Sequence, residues 1–156
     1  MEPEYNRKTE FTKEELIEIL DSFLEYKPVF DRRVSGEDSS WKVDETRYDT
    51  DASTHRYIGY DYTYVKAAWD VRNVVYDYRI EDKENIPNFK IICEKYGVHD
   101  VKGASEKKLD FLEIVTIITY IDRADRHSDG GWYEHRVEDG TFYNLLCRLE
   151  DIRDDL

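Results

Sequence analysis

Leu109-Asp110-Phe111-Leu112-Glu113-Ile114-Val115-Thr116-Ile117-Ile118-Thr119-Tyr120-Ile121 runs straight into Asp122-Arg123-Ala124-Asp125-Arg126-His127, and Gly130-Gly131 follow. The apolar residues fall at helical spacing and nearly encircle the axis. The spacing predicts a helix over about 105–126, buried at the centre of the fold and capped by Ser105. Its exit carries a dense charge cluster. Arg123, Arg126 and His127 lie three or four residues apart, so one helix face presents all three. Two forked guanidiniums on one face suit a phosphate or carboxylate, with His127 as the proton carrier. The competing reading is architectural. Cations at a helix C-terminus favour the macrodipole, and Asp122, Asp125 and Asp129 stand within pairing reach. On that reading Asp122, Asp125, Asp129 and Gly130 form a structural hub that pins the helix to the following turn, with Asp122 pairing to Arg126.

The flanking sequence is also helical in pattern. Thr12 and Glu15 spell a capping box, and Phe11 with Leu16 a hydrophobic staple. Leu16, Leu20, Phe23 and Leu24 recur on the inner face of that first helix, and Pro28 is expected to stop it soon after Tyr26. Glu14, Glu18, Asp21 and Glu25 form an acidic stripe on its opposite face. A second helix is expected from about Asp61 to Tyr78, with Val65, Ala68, Trp69, Val75 and Tyr76 inward. Pro87 suits a first helical turn, and Gly97 a helix stop. Trp132 to Val137 reads as a short helical or turn piece, Asp139-Gly140 as a turn, and Phe142 to Ile152 as a final amphipathic helix. Residues 31–60 are polar and turn-rich. Trp41-Lys42-Val43 and Tyr57-Ile58-Gly59-Tyr60 are the candidate strands there. The expectation is a mainly α fold of five or so helices around the central one, in a single globular domain over 1–156 with loose ends at 1–10 and 153–156. An α+β variant with a small β hairpin in 31–60 is the alternative.

A chain of 156 residues hides roughly 68–70% of its unfolded surface, enough for a core without metal or disulfide staples. Thirty-six acidic residues against 23 basic ones leave a net charge of −13, spread along the chain. Direct nucleic-acid binding is disfavoured, because phosphate neutralisation needs a basic face. Anionic membranes are disfavoured for the same reason, and the charged partner that fits is a basic protein. Cys93 and Cys147 sit in apolar helical patterns without a CxxC pair, and read as free packing thiols of a reducing compartment. The acidic start Met1-Glu2-Pro3-Glu4 lacks the apolar stretch of a signal peptide, and the 109–121 run is too short and polar to span a bilayer. A cytoplasmic protein is expected.

Motifs for chemistry are sparse. His127, Asp129, Glu134 and His135 match no strong zinc spacing. Asp49-Thr50-Asp51 opens like a calcium loop but has Thr54 where glycine is needed and Tyr60 where a bidentate glutamate is needed. No phosphate-cradling glycine loop or nucleophile elbow occurs. The sequence therefore calls for no metal and no cofactor, and assigns no catalytic residue.

Leu112-Glu113-Ile114-Val115-Thr116-Ile117-Ile118-Thr119-Tyr120-Ile121-Asp122-Arg123-Ala124-Asp125-Arg126-His127-Ser128-Asp129-Gly130 resembles a family of small uncharacterised bacterial proteins, a domain of unknown function. Its signature is an apolar helix running into arginine-x-aspartate-arginine-phenylalanine and then a glycine. Val137-Glu138-Asp139-Gly140-Thr141-Phe142 through Leu149 looks like the family's closing glycine turn and leucine-rich helix. Phe23 to Phe30, Trp41 and the Tyr64 to Tyr76 helix fall in the expected order, so the likeness covers about residues 16–152. The chain departs from the pattern at His127, where the family has phenylalanine, and between 78 and 100. The resemblance implies a soluble, mainly helical domain and a partly buried, structural His127. It brings no activity.

Two functions remain in view. The first is an acidic interaction protein whose stripe of Glu14, Glu18, Asp21 and Glu25 engages a basic protein, as a phage or mobile-element inhibitor does when it mimics nucleic acid. The second is a small enzyme or ligand-binding domain that takes an anionic small molecule on Arg123, Arg126 and His127. The charge balance and the absence of enzyme motifs rank the first above the second.

Overall fold

In the computed structural model, residues 7–35, 62–126 and 131–156 are described. They form α1 (Lys13–Leu24), α2 (Lys27–Ser35), α3 (Tyr62–Asp77), α4 (Asn85–Tyr96), α5 (Val101–Ser105), α6 (Phe111–Arg126), α7 (Trp132–Glu138) and α8 (Thr141–Asp154). The fold is mainly α. Among the described residues there is no strand, and the candidate strands at 41–43 and 57–60 lie outside them.

The central position of α6 follows from its sequence. Phe111, Ile114, Val115, Ile117, Ile118 and Ile121 are buried on several sides of one helix, so it needs partners all round. It packs against α3, α4, α5, α7 and α8. One cluster of buried side chains draws on all eight of these helices, including Leu20 and Phe23 of α1, Phe30 of α2, Val71 and Val75 of α3, and Phe142, Leu145 and Leu149 of α8. Phe11, just ahead of α1, stands edge-on to Phe111, with ring centres 5.6 Å apart.

Local signals set the ends of several helices. The Thr12–Glu15 capping box closes in both directions. Gly97 ends α4 in the left-handed region at φ 68°, and Gly140 at φ 87° turns the chain from α7 into α8. Both turns need a residue that tolerates positive φ.

Two local expectations are corrected. Pro28 does not simply end a helix. It sits in the first turn of α2, where its missing N–H is one that has no helical partner anyway, so residues 31–35 are helical and not part of a hairpin. The cap of α6 is Asp110, not Ser105. Asp110 Oδ1 accepts from the Glu113 N–H at 2.7 Å, and Glu113 Oε1 accepts from the Asp110 N–H at 2.9 Å. Ser105 instead closes α5, donating to the Lys102 carbonyl at 2.6 Å. The mainly α expectation of five or so helices holds in kind; the described residues form eight, α7 among them where the sequence reads as a short helical or turn piece at 132–137, while short α2 and α5 give no periodic signal of their own.

Candidate functional site

The exit of α6 is built around Asp122, whose side chain is 1% exposed. One helical register brings three elements to it. Arg72 and Tyr76 are four apart on α3, Tyr133 comes from the first turn of α7, and Arg126 lies one turn beyond Asp122 itself. Tyr76 Oη donates to Asp122 Oδ2 at 2.6 Å, and Tyr133 Oη donates to Oδ1 at 2.7 Å. Arg126 Nη2 lies 3.2 Å from Oδ2, and Arg72 Nη1 lies 3.3 Å from Oδ1. Each carboxylate oxygen thus meets one phenol and one guanidinium. The two arginines also lie over the rings of these tyrosines, Arg126 over Tyr76 at 5.6 Å and Arg72 over Tyr133 at 5.7 Å.

The electrostatics follow from this arrangement. Burial opposes ionisation of Asp122, but the Tyr76 and Tyr133 bonds and the Arg126 and Arg72 charges outweigh it. The carboxyl is held below its ordinary range. Burial and then the bond to Asp122 push both phenols up, so Tyr76 and Tyr133 stay protonated donors. A carboxylate saturated with four donors is a poor base, and its tyrosines are poor acids. The arrangement joins α3, α6 and α7 and has no reactive group poised for proton transfer.

Sequence-predicted residues scatter around this centre. Asp125 Oδ1 accepts from the Trp132 N–H at 3.1 Å, at the start of α7. Arg126 meets Asp122 while its side chain stays 52% exposed. Arg123 is half-buried, and its Nε has no hydrogen-bond partner. His127, Asp129 and Gly130 lie outside the described residues. Among the described residues no three His, Cys, Asp or Glu side chains converge as a metal-ligand set. Cys93 and Cys147 are half-buried and free, and burial pushes both thiols up.

The acidic stripe is on the surface, with Glu14, Glu18, Asp21 and Glu25 all exposed. α8 packs beside α1. Arg153 Nε reaches Asp21 at 2.8 Å, and Glu150 lies 3.5 Å from Lys27 just beyond the end of α1. At the C-terminal end of α8, Glu150, Asp151, Asp154 and Asp155 are exposed as well, Glu150 beside Lys27.

Sequence reasoning missed Arg72, Tyr133 and a second buried centre at Asp82. Arg72 and Tyr76 at i and i+4 share one face of α3, but that spacing does not name an acceptor on another helix. Nothing local in the sequence pointed to Asp82.

No family model matches this chain, and no match appears among curated proteins or solved structures. The chemistry of the molecule itself carries its functional reading.

Proposed function

We propose that this chain is an acidic interaction protein whose α1–α8 face binds a basic protein, in the manner of an inhibitor that occupies a nucleic-acid groove. The observation that carries this reading is the exposure of all four α1 carboxylates together with the acidic end of the neighbouring α8. From Glu14 to Glu25 the stripe runs about 16 Å along the axis at 1.5 Å per residue. Two cations interrupt the face. Arg153 pairs with Asp21, and Lys27 with Asp31 and Glu150. Glu18 accepts from Tyr78 Oη at 3.3 Å, and the stripe carboxylates stay exposed, where they steer a cationic partner and make its binding salt-dependent. The engagement of Arg126 with Asp122 and Tyr76 weighs against the alternative of an anion clamp on Arg123, Arg126 and His127.

The test is retention of purified basic nucleic-acid-binding proteins (pI above about 9) on the immobilised chain at rising NaCl. The Glu14→Gln/Glu18→Gln/Asp21→Asn/Glu25→Gln variant runs beside it. The expected result is stoichiometric retention of at least one protein at low salt, steep loss with salt, loss in the variant and competition by duplex DNA. Retention that is absent, insensitive to salt or equal in the variant overturns the proposal.

A further inference from the structure

Arg7 belongs to no helix, yet its guanidinium is held by groups from distant parts of the chain. Nη1 lies 2.9 Å from Asp82 Oδ2 and 3.5 Å from Thr116 Oγ1, and Nη2 donates to the Leu112 carbonyl at 3.2 Å. Two nitrogens of one fork reach three acceptors on separate residues. That geometry suits a planar guanidinium and does not suit the single point of an ammonium.

Asp82 has donors other than Arg7. The Asp82 side chain is 4% exposed. Its Oδ2 accepts from the Thr116 hydroxyl at 2.7 Å and from Asn88 Nδ2 at 2.8 Å, and its Oδ1 accepts from the Glu84 N–H at 2.9 Å. The Asp82 N–H donates to Thr119 Oγ1 at 3.2 Å, and the Thr119 hydroxyl donates to the Val115 carbonyl at 2.9 Å. Burial opposes ionisation here, but Asn88 and Thr116, ahead of Arg7, hold the carboxyl below its ordinary range. With Arg7 withdrawn, three donors still face the carboxylate and one charge is left unpaired. The occupant, by contrast, is incompletely used, since Arg7 Nε is buried with no hydrogen-bond partner. The segment that delivers it is anchored at Phe11, which packs on Phe111, and by the Lys8–Glu15 pair. Residues 7–12 are not helical, and Lys8, Thr9 and Glu10 are exposed.

We propose that Asp82, Thr116 and the Leu112 carbonyl form an arginine-binding site that Arg7 fills from within the chain, and that an arginine of a basic partner takes its place. The second half rests on the interaction reading above, whereas the first half stands without it. Residues 7–10, ahead of the Phe11 anchor, are then a removable plug, and a partner arginine engages the site in competition with Arg7.

The test uses the Arg7→Ala chain, with Arg7→Gln as a second variant that keeps a donor for the Leu112 carbonyl. Agmatine, a guanidinium joined by a four-carbon chain to an ammonium, is the probe, and n-butylamine, which keeps the ammonium without the guanidinium, is its control at equal ionic strength. Arg7→Ala is expected to unfold roughly 6–20 °C lower, since it strands a buried charge. Agmatine at about ten times its Kd is expected to restore about 3–5 °C in the variants. It should shift the Asn88 side-chain amide resonances there, and do neither in the Arg7 chain. Butylamine should restore nothing. Equal shifts with and without Arg7, equal effects of the two amines, or no response to agmatine would each overturn the site. No partner protein enters this experiment, so its failure leaves the salt-dependent retention test standing, and the reverse holds as well.

Discussion

Asp122 shows what one buried residue does when every acceptor position is filled. Two phenols and two guanidiniums meet its two oxygens. Asp122→Asn keeps the volume but turns one oxygen into a donor that faces other donors, and it leaves two arginines beside a neutral group. Removing one partner of a buried charge cluster costs about 3–5 kcal/mol. Urea unfolding should show that loss as a lower midpoint at unchanged slope. The pH dependence has a definite sign. The folded carboxyl titrates below its ordinary value of 3.8, so the unfolded chain binds the proton first as pH falls. The stabilisation is full above that ordinary value and is lost as pH drops through the lower folded one. The urea midpoint of the natural chain should therefore fall steeply below about pH 4, and that of Asp122→Asn should fall less. Equal acid slopes would show that Asp122 does not carry this stabilisation. Only part of the cluster was legible in the sequence. The Asp122–Arg126 pair is an i,i+4 relation on one helix, which spacing reveals. Tyr76, Arg72 and Tyr133 reach Asp122 only after three helices have packed, and no local pattern encodes that meeting.

At the scale of elements, legibility depended on whether the deciding signal was local and unambiguous. Thr12 with Glu15, and Gly97, each act within one turn, and both signals read correctly. Pro28 carries two meanings, the end of one helix and the first turn of the next; the sequence alone read the first, which α1 meets by ending at Leu24, and missed the second. Ser105 looked like the α6 cap because it is a good capping residue near an apolar run, but Asp110 stands closer and has Glu113 at the reciprocal position. Asp110→Ala should therefore cost about 1 kcal/mol in chemical denaturation. α3 ends on a less favourable residue. Arg79 occupies the left-handed region at φ 56°, while the Ile80 N–H bonds back to the Val75 carbonyl at 3.0 Å and Ile80 is fully buried. This is the closing turn in which glycine is preferred, because an L side chain strains there. Arg79→Gly is expected to stabilise the chain by about 0.5–1 kcal/mol. A loss of stability would show that the contacts of the Arg79 side chain outweigh the strain of its backbone.

The charge of −13 acts on the whole molecule. A compact chain of this length has a radius of gyration near 15 Å by the usual scaling, about half the Debye length of about 30 Å at 0.01 M salt. At low ionic strength every excess carboxylate therefore feels the others. Within α1, Glu14 with Glu18 and Asp21 with Glu25 are like charges four apart, and Glu25 adds a negative charge at the negative end of the helix dipole. Opposing this are exposed pairs such as Lys66–Asp70 and Lys102–Glu106, each contributing about 0–1 kcal/mol and screened by the same salt. The buried Asp122 and Asp82 clusters are screened far less. Net repulsion should win, so raising NaCl from about 10 mM to about 200 mM, where the Debye length falls below about 10 Å, should raise Tm by roughly 2–5 °C. Glu18→Gln/Glu25→Gln removes repulsion at its source. That variant should be more stable than the natural chain at low salt, and the difference should shrink as salt is added. A Tm that falls with salt would mean that the surface ion pairs dominate. If both measurements give the expected sign, the acidic face destabilises the fold, and the same substitutions that weaken retention of a basic partner will make the isolated protein more stable.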